Sequence, residues 1–183
     1  QLCESLDDIV IPASVTEIKP MTFMFGSNIT GLTLHNKITS IGTYAFAYCI
    51  GVNGDIIIPD SVNTVDSWAF GACVSITGIT IPNSVTTLGS YAFAYCYDVV
   101  SLNYDAQINT AYSATSDVFV NLGLNAASCD VVIGDNTINI PAYLFYCDGS
   151  EDDANGITSV TIGNSIETIG TYAFYNCSKV ISL

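Results

Sequence analysis

Arginine is absent from this 183-residue chain, and three lysines (Lys19, Lys37 and Lys179) stand against 17 acidic residues, for a formal net charge of −14. Nucleic-acid binding and attraction to anionic lipid both depend on clustered Lys and Arg, so neither kind of partner is expected. No apolar run approaches the roughly 20 residues that cross a bilayer, so no membrane insertion is expected within this chain. The opening Gln1-Leu2-Cys3-Glu4 has neither an initiating Met nor a basic leader, as expected of a processed or excised piece of a longer protein. Histidine occurs once, at His35, where neighbouring repeats carry proline. Nucleophilic catalysis through it would need a positioned Ser or Cys and an orienting carboxylate, and no such singular constellation is present. Zinc would need a C-x-x-C or Cys/His cluster, also absent. No catalytic, cofactor-binding or metal-binding residue is therefore assigned, and no enzyme is expected.

What the chain has in quantity is apolar residues, half of the total, arranged in a repeat. The pattern reads I-x-I-P-x-S-V-T-x-I-G-x-x-A-F-x-x-C, clearest from Ile56 to Cys73 and from Ile79 to Cys96, and returning from Leu32 to Cys49 and from Thr161 to Cys177. A worn copy runs from Val10 to Gly26. Taking the phenylalanine as marker, Phe23, Phe46, Phe70 and Phe93 are 23, 24 and 23 residues apart. Phe145 and Phe174 mark two further copies, and Phe119 lies midway across the 52-residue gap before Phe145. Within a copy, Ile79-Thr80-Ile81 and Val85-Thr86-Thr87-Leu88 are short, β-branched and bounded by Gly78, Pro82 and Gly89, which reads as two brief strands. One copy cannot bury its own apolar face. Stacked copies can, with parallel strands laying Ile on Ile and Phe on Phe, so a solenoid with a laddered core is predicted. At about 4.8 Å per rung, seven rungs make a rod on the order of 30 Å long.

The string S-V-T-x-I-G-x-x-A-F-x-x-C, followed by a new strand, resembles the BspA-like leucine-rich repeat family over roughly four-fifths of the chain. The resemblance implies a mostly β, right-handed leucine-rich-repeat solenoid with short irregular turns, of about seven rungs of about 23 residues. It also implies display outside bacterial or protozoan cells and adhesion to host or microbial proteins rather than catalysis. The Phe119 rung departs from the family pattern by lacking the I-P-x-S-V start, and Cys147 comes one residue early. A single domain over 1–183 is expected, with a degenerate, inserted rung at about 103–130 and an acidic insertion at 148–156, both read as loops.

Cys49, Cys73, Cys96 and Cys177 each follow the marker Phe by three residues, so they occupy a repeat position. In a stack that position reads as a buried free thiol rather than half of a disulfide. The insertion Asp148-Gly-Ser-Glu-Asp-Asp-Ala-Asn-Gly156 lacks the sixth-position glycine and terminal glutamate of a calcium loop and reads as a solvated acidic segment. Two residues before the marker stand Met21, Tyr44, Trp68, Tyr91, Asp117, Tyr143 and Tyr172. The aromatics among them, Tyr44, Trp68, Tyr91, Tyr143 and Tyr172, are the candidate ligand-binding residues, on or near the surface. A contact stripe and a mere shield for the rung edges are both open readings. Adhesion to a host matrix or microbial surface protein is the leading function. A passive stalk that presents other domains, or glycan binding through the stripe, are its rivals. End-to-end self-association through unpaired terminal rungs is a further expectation.

Overall fold

A computed structural model describes residues 8–147 and 155–181. Two families of short parallel strands run up the stack. The first strands of successive rungs are β1 (Asp8–Val10), β3 (Gly31–Thr33), β5 (Gly54–Ile57), β7 (Ile76–Ile81), β9 (Ser101–Tyr104), β10 (Cys129–Ile133) and β12 (Ile157–Ile162). They pair as β1-β3 and as a five-stranded parallel sheet in the order β12-β10-β9-β7-β5. The second strands, two residues each, are β2 (Glu17–Ile18), β4 (Ser40–Ile41), β6 (Thr64–Val65), β8 (Thr87–Leu88), β11 (Asn139–Ile140) and β13 (Thr168–Ile169). They form a β2-β4-β6-β8 ladder and a separate β11-β13 pair.

The register turns the repeat into side-chain ladders. Ile56, Ile79, Leu102, Val131 and Val160 are stacked partners facing the core, while Ile57, Thr80, Asn103, Val132 and Thr161 alternate outward beside them. Ile18, Ile41, Val65 and Leu88 do the same for the second strands. The marker phenylalanines form the spine. Phe23, Phe46, Phe70, Phe93, Phe119, Phe145 and Phe174 stack nearly parallel at centroid spacings of 5.1 to 6.0 Å. Continuous apolar packing links Ile9 at one end to Ala173 at the other.

The stretch 103–130 is more ordered than a loop. Its first residues belong to β9, its last to β10, and Phe119 keeps its place in the spine. What it lacks is a second strand: Gln107 N donates to Val85 O (2.9–3.0 Å is the usual span; here 3.0 Å), and Tyr112 Oη donates to Leu88 O at 2.8 Å. A backbone bond and a phenol thus cover the end of the second-strand ladder that a regular rung would pair. Of the acidic insertion, 148–154 lies outside the described residues. Its end is buried, with Asn155 Oδ1 accepting from Leu122 N at 3.0 Å.

Candidate functional site

The aromatic positions sit on a third ladder, made by the turn segment around each marker Phe. Tyr44, Phe46 and Tyr48 N–H donate to Ser67, Ala69 and Gly71 O of the next rung at 3.1, 2.8 and 2.8 Å. The alternate amides of Ala45, Ala47 and Cys49 turn back onto Gly42, Tyr44 and Phe46 O of their own rung. Each amide in the segment therefore has a partner, as a buried backbone requires. The arrangement puts a left-handed residue two before and two after the marker in most rungs, Asp117 and Cys147 being the exceptions. Met21, Tyr44, Trp68, Tyr91, Tyr143 and Tyr172 have φ of 57–60°, and Phe25, Tyr48, Ala72, Tyr95, Asn121 and Asn176 have φ of 58–63°.

Left-handed backbone is the territory of glycine and, next best, asparagine; other L residues lose roughly 1–2 kcal/mol there. Ala72, Asn121 and Asn176 demonstrate that small or polar side chains serve the fold two residues after the marker, and Met21 that no aromatic ring is required two before it. The aromatic side chains elsewhere are thus not demanded by the backbone.

Their rings fall into two sets. In the first, Trp68 is the hub, with ring centroids 5.9 Å from Tyr44, 6.5 Å from Tyr48, 5.2 Å from Tyr91 and 5.8 Å from Tyr95. Three of these pairs are within 23° of parallel, so the rings turn their faces to one another and their edges outward. The tryptophan stands in the rung that has Ala72 where its neighbours have Tyr48 and Tyr95. Its larger ring spans the gap. Gly71, alanine in the adjoining rungs, makes room, because a Cβ there would lie 2.4 Å from Trp68 Cε3. Tyr91 Oη is committed to Thr115 O at 2.7 Å.

The second set comprises Tyr143, Tyr146, Tyr172 and Tyr175, mostly tilted or edge-on, with Tyr172 and Tyr175 about half exposed. Asp117 and Asn121 hold the equivalent positions of the rung between the two sets. The five sequence-predicted residues are therefore divided: Tyr44, Trp68 and Tyr91 are brought together, and Tyr143 and Tyr172 are brought together elsewhere. Tyr146 and Tyr175, one residue past the marker, were not anticipated. Their sequence signal is a tyrosine where the rungs of Phe46, Phe70 and Phe93 have Ala47, Gly71 and Ala94.

Among the described residues, several carboxylates bond within the stack. Asp105 Oδ1 accepts from Asn136 N at 3.0 Å and Asp135 Oδ1 from Asn164 N at 2.7 Å. His35 is a turn residue: its Nε2 lies 3.1 Å from Pro12 O and its Nδ1 accepts from Lys37 N at 3.2 Å, which assigns the proton to Nε2. Cys49, Cys73 and Cys96 are unbonded and buried, each thiol donating to the marker Phe carbonyl of the preceding rung. Burial pushes the Cys49 thiol up to about 11 and raises Cys73 and Cys96 as well. Among the described residues no group of three potential ligands could hold a metal ion, and no helix is long and apolar enough to cross a membrane.

A model of the BspA type leucine rich repeat region matches six copies in this chain, over residues 1–125 and 138–183. The chain belongs to the BspA-type leucine-rich repeat family. The match covers most of this BspA-type chain and leaves out 126–137, next to the rung that lacks its second strand. Two solved structures are similar. One is a leucine-rich repeat protein from Bacteroides ovatus ATCC 8483, 15% identical, covering 99% of this chain and 67% of that one, with a TM-score of 0.41. The other is a leucine rich cell surface protein from Faecalibacterium prausnitzii A2-165, 22% identical, covering 97% of this chain and 60% of that one, with a TM-score of 0.45. No curated protein matches.

Proposed function

We propose that this chain is a non-enzymatic recognition module, displayed outside the cell, that binds a protein partner through its aromatic ladder. The observation that carries the reading is the placement of Tyr44, Tyr48, Trp68, Tyr91 and Tyr95 on left-handed backbone that glycine or asparagine would occupy at lower cost. Aromatic residues are over-represented among interface hot spots, and their outward ring edges suit hydroxyl, indole and apolar contacts with a polypeptide. The stacking within the first set turns ring faces away from solvent, which makes it a poorer platform for a sugar than for a protein segment. With 17 acidic residues in the chain, complementarity favours a neutral or basic partner. The family assignment and the surface location named for the Faecalibacterium protein support an extracellular setting.

The test is to screen the isolated chain against host matrix and microbial surface proteins, with glycans as a second panel. A paired Tyr44→Asn, Tyr91→Asn variant keeps a residue suited to the backbone and should weaken a protein partner by about 2 kcal/mol or more. A variant lacking Glu151, Asp152 and Asp153 is the control. Loss confined to the control would make the aromatic ladder a shield and the acidic insertion the contact. The rival reading is a passive stalk, supported by the continuous phenylalanine spine, and absence of binding across the panels would favour it.

A further inference from the structure

One rung is a residue longer than its neighbours ahead of its first strand. Phe23 to Leu32 and Phe70 to Ile79 are nine steps along the chain, whereas Phe46 to Ile56 is ten. The added residue is absorbed at Gly54, which takes φ of 78°, and the pairing of β5 with β7 slips in register between Gly54 and Asp55. On its other edge β5 does not pair with β3. The two-stranded sheet β1-β3 and the five-stranded sheet that ends at β5 part between these rungs. Hydrogen bonds still join the rungs on both sides of the parting, from Asn53 N to Thr30 O at 3.2 Å before it and from Ser61 Oγ to Ile38 O at 2.7 Å after it. Between them lies a cleft of about 740 Å³. It opens the core ladder to solvent: Leu32 and Leu34 are partly exposed, whereas their equivalents Ile56, Ile58, Ile79 and Ile81 are buried. Ile9, the partner of Leu32 on its opposite side, is buried as well, so the exposure arises at the parting and not at an end of the stack.

We propose that this cleft binds an extended segment of a partner protein, apolar in its middle and carrying Lys or Arg at both ends. Leu32, Leu34 and Ile57 match the apolar part, and Ile57 is 64% exposed on the lip. Asp55 and Asp60 match the charges: both are exposed, they stand at opposite ends of the β5 side of the lining, and no basic side chain lines the cleft. Their spacing fits a short strand. Five steps of extended chain span about 16 Å, while the first and last residues of a five-residue strand stand about 13 Å apart, a difference that long lysine side chains cover. The facing edges of β3 and β5, which do not pair across the parting, supply backbone hydrogen-bonding groups to a segment laid along it. Apolar burial holds such a segment, and the two carboxylates select basic flanks over acidic ones. The cleft uses none of the residues of the aromatic ladder, so this inference stands apart from the reading above.

The experiment titrates the whole chain, its Leu and Ile methyl groups followed by nuclear magnetic resonance, with the peptide acetyl-Lys-Leu-Val-Leu-Lys-amide and with the same peptide carrying Glu for each Lys. The basic peptide should give saturable shifts at the methyls of Leu32, Leu34 and Ile57, and the acidic one should bind at least about tenfold more weakly. Asp55→Asn combined with Asp60→Asn should weaken the basic peptide about tenfold, as expected for the loss of two exposed charge pairs. Asp55 Oδ1 also accepts from Thr77 Oγ1 at 3.1 Å, a bond that asparagine retains. Deleting Gly54 restores the nine-step spacing and should close the parting, protecting the amides of β3 and β5 from exchange and removing the binding. Ile57→Lys puts a cation on the exposed lip and should remove the binding too, with the fold intact even where the deletion unfolds the chain. The Tyr44→Asn, Tyr91→Asn variant should bind the basic peptide as the wild type does. Absence of saturable shifts at the three cleft residues, equal binding of the acidic peptide, or loss of binding in the tyrosine variant would overturn the proposal.

Discussion

The two aromatic sets differ although the same repeat position builds both. Around Trp68 the rungs are regular, the rings run nearly parallel, and the indole fills the gap above Gly71 and Ala72. Around Tyr143 and Tyr172 the second-strand ladder has been interrupted, tyrosines appear one residue past the marker as well as two before it, and the rings meet at 51–86° in most pairs. Regular stacking spends ring faces on neighbouring rungs. Irregular stacking sets ring edges against ring faces. The comparison separates two kinds of ring packing: Trp68 is enclosed by four neighbouring rings, whereas Tyr172 meets its neighbours at steep angles.

The largest expected effect tests whether the spine is continuous through both regions. Phe70→Ala and Phe119→Ala each remove a fully buried ring and should each destabilise by about 3–5 kcal/mol in chemical denaturation. A loss below about 1 kcal/mol at Phe119 alone would mean that the irregular rung separates two independent stacks. Next, Trp68→Ala should cost roughly 2 kcal/mol, because four ring contacts surround a half-buried side chain, whereas Tyr172→Ala should cost less than about 1 kcal/mol. Equal losses would erase the distinction between the two sets. Smaller again, Gly71→Ala forces a methyl group into the indole and should cost about 1–2 kcal/mol, but close to nothing in a Trp68→Ala background. The coupling in that double-mutant cycle measures how far Trp68 and Gly71 are one adaptation.

Much of this was legible in the sequence, since the period of the marker Phe fixes the stack and the alternation around Ile79 and Ile81 fixes which side chains face the core. The solenoid, the family and the burial of Cys49, Cys73 and Cys96 follow from that periodicity, while Cys177 is only partly buried. The hydrogen-bonded third ladder does not, because its left-handed residues are tyrosine, tryptophan and phenylalanine, types that ordinarily argue against positive φ. Glycine or asparagine at those positions would have announced the conformation; only Asn121 and Asn176 hint at it. The division of the stripe was also hidden, since it depends on ring tilt and on the missing second strand after β9, and neither has a signature in spacing alone. The candidate residues Tyr44, Trp68 and Tyr91 were picked out by their place in the repeat, while their mutual stacking depends on ring orientations that spacing does not carry.

The central claim is that the aromatic side chains exceed what the backbone needs, and the stability of Tyr48→Asn tests it most directly. Tyr48 has φ of 61°, is 38% exposed, and touches the rings of Phe25 and Trp68, so the substitution forfeits stacking while giving the left-handed position a better-suited residue. Those two contributions are each of order 1 kcal/mol and opposite in sign, so the free energy of unfolding should change by less than about 1 kcal/mol. A loss of about 3 kcal/mol, as large as that of a core phenylalanine, would contradict the account and make the aromatic ladder part of what holds the stack together.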